Sequence, residues 1–210
     1  MKRLFSTIFL LAALLATVSA QSFIIDITRL NKAYNELLQN PQSQHSQREF
    51  FNAFPSSWQE YYDTYKYCER EGYDLSMYYK AFEHIEALEN CTTINDTLYC
   101  NRLIALSVGA VLDSDAPNYL QKLLHYTMQH KNDVFMHCLS QIEKGHQMQF
   151  WQFYWSNRID GKNQKQEFKE LYNINKKKYP CLMKTMSVAF EYFNNKVLFI
   201  EDFINMMNSK

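Results

Sequence analysis

The scarcity of chain-breaking residues is the feature that most limits the folds open to this sequence. Only four glycines and four prolines occur in 210 residues, whereas phenylalanine and tyrosine number fifteen each. Few breakers and many large apolar side chains favour long helices around an aromatic core. The hydrophobic share of 47% excludes general disorder. We therefore predict an all-α fold.

The first twenty residues have the organisation of a secretory signal peptide. Lys2 and Arg3 precede an apolar run, and Val18-Ser19-Ala20 ends it with the small-x-small pattern of a signal-peptidase site. The run is short for a membrane span and no positive stop-transfer cluster follows, which favours cleavage over an uncleaved signal anchor. The sequence thus predicts an exported protein, periplasmic or extracellular, without a transmembrane anchor after cleavage of residues 1–20.

Residues 21–210 contain no internal repeat and no low-complexity linker, so we expect a single helical domain. Capping patterns such as Ser57-x-x-Glu60 mark helix starts. The segment 103–112 is apolar on every side, and a helix of that kind has to be enclosed by others. A buried strand is the competing interpretation, but no second strand-like run exists to pair with it. We predict a compact domain of about eight helices around this central apolar helix.

A helix beginning near Ser76 illustrates how an inward face is assigned from periodicity. Apolar side chains recur at helical spacing along it. The inward positions predicted on this basis are Tyr78, Phe82, Ile85 and Leu88.

Charge and motifs exclude several function classes. The chain has 22 basic and 22 acidic residues, and loss of Lys2 and Arg3 leaves the mature protein close to neutral. A nucleic-acid partner is not expected, because it would require a basic surface. No Gly-x-Gly-x-x-Gly, phosphate-binding loop or Gly-x-Ser-x-Gly elbow occurs, so no cofactor and no catalytic residue are predicted. The sequence favours a non-catalytic protein and leaves catalysis open.

The histidines are the nearest approach to a metal-binding pattern. His125, His130 and His137 are five and seven residues apart, whereas zinc ligands usually occur as closer pairs on one helical face. Glu143-x-x-His146 matches half of a di-iron ligand set, but no second copy exists. The sequence therefore predicts no metal site.

Two aromatic segments are candidates for a binding surface. A helix cannot bury every ring of so dense a segment on one side, and exposed rings with polar edges suit sugar stacking or a groove for a protein partner. The competing and preferred interpretation is that several neighbouring helices enclose the rings. The candidate binding residues are Trp151, Tyr154, Trp155, Tyr62 and Tyr65.

The cysteines leave disulfide pairing open. An odd number, five, leaves at least one thiol free or paired between chains. Cys91 and Cys100 are nearest in sequence and flank a predicted helix start, which makes them the first candidate bridge; Cys138 with Cys181 is a second. The alternative is that the cysteines are small buried apolar residues.

Four sequence blocks resemble uncharacterised exported all-helical proteins of Bacteroidetes. The most specific is Phe-Phe-Asn-Ala-Phe-Pro at residues 50–55, and the others lie at residues 113–121, 150–155 and 178–180. The resemblance implies export and an all-helical fold, and it implies no activity or ligand.

Glycosylation motifs fit an exported protein. Asn90 and Asn95 each begin an N-glycosylation sequon. Thr97 follows Asp96 and precedes an apolar residue, which is similar to the acceptor for O-glycosylation of exported Bacteroidetes proteins.

These observations favour a soluble protein that binds another protein or an envelope component, for instance as an immunity protein or inhibitor. The alternative is an enzyme or small-ligand-binding protein with a pocket among residues 125–146 and 151–155. That alternative requires two or more of His125, His130, His137 and Glu143 to converge on one cavity.

Overall fold

The computed structural model describes residues 25–156 and 164–193, and all regular secondary structure within these ranges is helical. The all-α prediction is therefore confirmed, and ten helices rather than about eight occur in the described ranges. The predicted signal peptide, residues 1–20, lies outside the described residues. The helices are α1 Ile27–Gln39, α2 Gln44–Ala53, α3 Trp58–Tyr65, α4 Ser76–Glu89, α5 Asp96–Ser107, α6 Asp115–His130, α7 Asn132–Gln141, α8 Lys144–Trp155, α9 Gln164–Asn175 and α10, residues 180–193.

Polar side chains begin several helices where the sequence predicts them. The Ser57 hydroxyl accepts a hydrogen bond from the Glu60 backbone N–H at 3.3 Å, while the Glu60 carboxylate accepts one from the Ser56 N–H at 2.6 Å. The Asn95 side chain accepts from the N–H groups of Thr97 and Leu98 at the start of α5. These bonds satisfy backbone donors that have no partner inside the helix.

Helix α5 contributes much of the core and packs against α3, α6, α7 and α8. It ends at Ser107, so the predicted helix through Leu112 is wrong. Gly109 adopts a left-handed backbone conformation with φ of 78°, and the Ala110 N–H bonds to the Ser107 carbonyl at 3.2 Å. A glycine in this conformation just beyond the last turn terminates a helix. One side of α5, with Leu98 and Asn101, faces solvent, so the helix is not enclosed all round.

The Phe-Phe-Asn-Ala-Phe-Pro block at the end of α2 is hydrogen-bonded to α5. Phe50, Phe51 and Phe54 are buried. Nη1 of Arg102, on α5, donates to the backbone carbonyls of Phe51, Phe54 and Pro55 at 3.0, 2.9 and 3.1 Å. Its guanidinium lies 4.5 Å from the centre of the Phe51 ring. Arg102 thereby satisfies carbonyls that the end of α2 leaves without intrahelical partners.

One hydrophobic cluster runs from α1 to α10. Because buried side chains from every described helix contribute to it or pack against it, the described part of the chain is compact. No helix within the described ranges has the length and apolar character that a membrane span requires.

Candidate functional site

Four of the five aromatic residues predicted to bind a partner are fully buried. Trp151, Tyr154, Trp155 and Tyr65 have no exposed surface, and Tyr62 is half-buried with its ring 5.7 Å from that of Trp58. A buried ring cannot stack on an external ligand, so a surface role for these four is wrong. The competing interpretation, that neighbouring helices enclose them, is the correct one.

The enclosure of α8 comes from helices distant in sequence. The Trp155 ring lies 5.0 Å from that of Phe190 on α10 and 6.1 Å from that of Phe168 on α9. Helix α8 also packs on α5 and α6. Aromatic side chains all round this helix are therefore buried, because helices cover it on more than one side.

A buried polar cluster fixes α9 to this layer. His125 Nδ1 lies 2.8 Å from Oε1 of Glu167, and the Tyr154 hydroxyl donates to the same oxygen at 2.6 Å. His125 Nε2 lies 3.2 Å from the backbone carbonyl of Tyr154. Both ring nitrogens of His125 thus face an oxygen atom. These buried contacts are a structural tie between α6, α8 and α9.

The histidine pocket required by the alternative function is not formed. His125 is buried beside Glu167, whereas His130 is exposed and stacks on Tyr126 with ring centres 4.1 Å apart. His137 and Glu143 are exposed, and Glu143 lies beside His146 at 3.6 Å. His130 lines a cavity of about 290 Å³, and the other three residues are not among those that line it. No group of three metal-ligating side chains occurs in the described ranges.

All five cysteines are free thiols, so the predicted bridge between Cys91 and Cys100 is not formed, and neither is one between Cys138 and Cys181. Burial raises the pKa of Cys91 to about 12 and is also the main cause that raises the pKa of Cys100 to about 12. The Cys91 thiol donates to the Ala87 carbonyl at 3.3 Å. The alternative, small buried apolar residues, describes Cys91, Cys100 and Cys138.

The glycosylation candidates lie between α4 and the first turn of α5, and all three are exposed. The Asn90 amide donates to the Glu86 carbonyl at 2.9 Å, whereas the Asn95 side-chain oxygen caps α5. Modification of Asn90, Asn95 or Thr97 stays a prediction.

The structure instead exposes aromatic side chains on the outer side of α4. We call this cluster the aromatic face; it consists of Tyr67, Tyr73, Tyr78, Tyr79, Phe82 and Tyr119. The rings of Tyr79 and Phe82 are the most open, with 70% and 53% of their surface exposed. The side chains of the aromatic face as a whole extend from the loop after α3, across α4, to the first turns of α6.

Five of the six rings of the aromatic face contact a neighbouring ring, in two separate groups. The Tyr78 ring centre lies 5.3 Å from those of both Tyr67 and Tyr79, edge to face in each case. Phe82 and Tyr119 meet edge to face at 5.3 Å. Spacings of three and four residues place Tyr78, Tyr79 and Phe82 along one side of α4. The opposite side is buried and carries Met77, Ala81, His84, Ile85 and Leu88.

Carboxylates border this cluster. The Tyr78 hydroxyl donates to Asp115 at 2.8 Å, and that hydrogen bond is the largest cause that raises the pKa of Tyr78 to about 12. Asp74 is exposed and accepts from the Ser76 N–H. Two nearby ammonium groups have partners of their own, since Lys80 donates to Asn31 at 2.6 Å and Lys66 to Asp63 at 2.8 Å. The carboxylates of Asp74 and Asp115 thus place negative charge beside the exposed rings.

Comparison with known proteins adds nothing to this description. Neither models of known protein families, nor curated proteins, nor solved structures match the chain. The candidate site consequently depends on the geometry of the chain alone.

The sequence prediction missed this surface because it chose the wrong side of α4. Tyr78 and Phe82 were expected to point inward, yet Phe82 is half exposed and the inward stripe includes Met77, Ala81 and His84. Ile85 and Leu88 are correctly assigned. Both stripes have helical spacing, so periodicity does not distinguish them. A useful signal would have been the small Ala81, which allows close packing where Phe82 would not.

Proposed function

We propose that this chain is an exported, non-catalytic binding protein whose aromatic face holds a basic surface of another protein. The observation that carries the proposal is the group of six aromatic side chains around the outer side of α4, five of which contact a neighbouring ring, with the Asp74 and Asp115 carboxylates beside them. An inhibitor or immunity protein that neutralises a basic toxin or enzyme is one concrete form of this function.

The rings support a protein partner. Exposed clusters of large apolar side chains mark interaction surfaces, and tyrosine is enriched among the residues that dominate binding energy. Tyr79 and Phe82 are stiff side chains, so ordering them on binding costs less conformational entropy than ordering long flexible chains. The contacts of Tyr78 with Tyr67 and Tyr79 also position part of the surface before a partner arrives.

The charges support a basic partner rather than an acidic one. Aromatic ring faces attract lysine and arginine side chains, and adjacent carboxylates add to this attraction. Asp115 and Asp74 lie at the border of the rings, while Lys80 and Lys66 are engaged by Asn31 and Asp63. An anionic envelope component would meet the Asp74 and Asp115 carboxylates and be repelled.

Export forms part of the proposal. The signal-like residues 1–20 and the resemblance of residues 50–55 to exported proteins of Bacteroidetes both support it. The mature chain would then meet its partner in the periplasm or outside the cell.

The test is capture from the native envelope and culture medium, with mild crosslinking, by the full chain carrying a C-terminal tag. Wild-type protein is compared with the double variant Tyr79→Ala/Phe82→Ala and with Tyr126→Ala. Tyr126 is a matched control, because 48% of its surface is exposed and it stacks on His130 rather than on the aromatic face. Thermal unfolding of each variant verifies that it is folded.

We expect one protein to be captured in stoichiometric amount by wild type and by Tyr126→Ala, with capture by the double variant at least about tenfold lower. Capture should also weaken as salt rises from roughly 0.05 to 0.5 M, because attraction between exposed charges is screened. A partner retained equally by the folded double variant would exclude the aromatic face. Recovery of this chain alone would exclude a stable protein partner.

A further inference from the structure

Two buried cysteines, Cys100 and Cys138, lie on the neighbouring helices α5 and α7. These helices pack against each other. The sulfur of Cys138, on α7, lies 3.8 Å from the backbone carbonyl oxygen of Thr97, on α5. Cys138 therefore reaches the backbone of its neighbouring helix near the first turn of α5.

Cys100 lies on the part of α5 that Cys138 approaches. A helical carbonyl points along the axis toward the following turn, and the side chain three residues later lies on the same face. Cys100 is three residues after Thr97, and both thiols are buried, with exposures of 0% for Cys100 and 4% for Cys138. After burial, the charge of Cys138 is the next cause that raises the pKa of Cys100.

We propose that Cys100 and Cys138 form a disulfide that joins α5 to α7 when the chain folds in an oxidising compartment. The oxidant is a disulfide of the thiol–disulfide exchange class. One thiol loses its proton and the thiolate attacks the oxidant, releasing one reduced thiol. The second cysteine, likewise deprotonated, attacks the mixed disulfide and releases the second thiol of the oxidant. Two cysteine thiols are thus oxidised, one external disulfide is reduced to two thiols, and the two protons end on the released thiols.

The other three cysteines are less suited to form the disulfide between α5 and α7. The Cys91 thiol donates to the Ala87 carbonyl of α4 and lies 3.8 Å from the Gln47 carbonyl of α2. Cys181 is exposed and Cys68 is half-buried. Among the five, Cys100 and Cys138 are the pair that share one helix–helix contact.

The timing of the reaction follows from the burial of both thiols. Thiolates are the attacking species, and burial raises the pKa of Cys100 and of Cys138. In the folded protein both groups are therefore slow to react. The link should form during folding, while the cysteines are accessible, and incubation of the folded reduced protein with the same oxidant should form it much more slowly.

The experiment refolds the reduced, denatured protein in a mixture of reduced and oxidised glutathione, followed by peptide mapping without reduction. The variant Cys68→Ser/Cys181→Ser is tested in parallel, because it removes the exposed and half-buried thiols and retains the proposed pair. We expect a linked peptide containing Cys100 and Cys138, and Cys91 as the single remaining thiol of that variant. Closing the loop should raise Tm by roughly 5–15 °C over the reduced form.

The double variant Cys100→Val/Cys138→Val is the control for specificity. It keeps apolar groups of similar volume in the helix contact, and its Tm should not depend on glutathione. A link between Cys91 and Cys100, or five intact thiols after refolding in the oxidising mixture, would overturn the proposal. Because mapping of wild-type protein is decisive by itself, the conclusion holds even if the double variant does not fold.

Discussion

Helices α8 and α4 both carry dense aromatic side chains, and their surroundings differ. On α8 the rings of Phe150, Trp151, Phe153, Tyr154 and Trp155 are all buried. On α4 the rings of Tyr79 and Phe82 are largely exposed. The same kind of side chain therefore contributes to the core in one region and forms a candidate binding surface in the other.

The difference lies in the number of sides from which each helix is covered. Helix α8 packs on α5 and α6, and its Trp155 ring also meets rings of α9 and α10. Helix α4 packs on α1, α3 and α6, which cover its Met77 and Ala81 side and leave the side with Tyr79 open. Aromatic density in a sequence thus indicates large contact area, and the arrangement of neighbours decides whether that area is internal.

The largest expected effect separates the two regions by stability. Trp155→Ala should lower the free energy of unfolding by about 3–5 kcal/mol, because it removes a fully buried ring and leaves a cavity. Tyr79→Ala should change it by no more than about 0.5 kcal/mol. Urea unfolding of both variants measures these changes in the free energy of unfolding. Equal losses would show that the rings of α4 are as much a part of the core as those of α8.

The next effect concerns His84, which lies on the buried side of α4. Its Nδ1 atom is 2.9 Å from the Tyr65 hydroxyl, its Nε2 has no partner, and burial lowers its pKa from 6.5 to about 4. Because the unfolded chain binds the proton more readily, stability is full above pH 6.5 and falls as the pH drops toward 4. The expected loss is up to about 3 kcal/mol.

Urea unfolding between pH 7 and pH 4 tests the role of His84, with His84→Gln as the comparison. Glutamine can still accept a hydrogen bond from Tyr65 and does not titrate. The acid loss of stability should therefore be smaller in the variant than in wild type. An identical pH dependence in both proteins would assign the loss to other groups.

The third prediction compares a cation that lies over a buried ring with a cation that lies near a ring at the surface. Arg102 binds three carbonyls and lies over Phe51, whereas Lys66 lies 5.8 Å from the Tyr62 ring near the surface. Arg102→Met should cost about 2 kcal/mol, because it leaves carbonyls at the end of α2 without donors. Lys66→Met should cost about 0.5 kcal/mol or less. Thermal unfolding of both variants distinguishes these values, and similar losses would contradict the ranking.

The smallest effect belongs to Tyr78 at the edge of the aromatic face. Its hydrogen bond to Asp115 raises its pKa from 10.0 to about 12. The unfolded tyrosine ionises first, so this contribution to stability is full below pH 10 and is lost as the pH rises toward 12. Tyr78→Phe should cost about 0.5–1 kcal/mol at neutral pH.

An alkaline absorbance titration checks this assignment. The difference between wild type and Tyr78→Phe should show one tyrosine ionising near pH 12, and Asp115→Asn should shift that transition downward. An unchanged transition in Asp115→Asn would show that the hydrogen bond is not its cause.

Local features of the fold were predictable from residues close in sequence. Ser57 begins a helix as expected, because a capping side chain bonds to backbone within a few residues. Phe50, Phe51 and Phe54 are buried, as expected for a fold with an aromatic core. The end of α5 was missed because Gly109 can continue or terminate a helix, and only its left-handed conformation decides which.

The candidate site was less predictable. The expected binding residues Trp151, Tyr154 and Trp155 are buried, and the expected Cys91–Cys100 bridge is absent. The exposed side of α4 was assigned to the interior. Each of these questions concerns which helices meet, and contacts between helices join residues far apart in the chain.

By itself, the sequence determined that the described chain is helical, where several helices begin, and that large apolar side chains would build its core. These properties follow from backbone preferences and from hydrogen bonds within single turns, which neighbouring residues control. Only the tertiary structure decided that α8 is covered from several sides, that α4 presents Tyr79 and Phe82 to solvent, and that Cys138 faces α5. Those outcomes depend on burial, and burial is a property of the assembled helices rather than of any one segment.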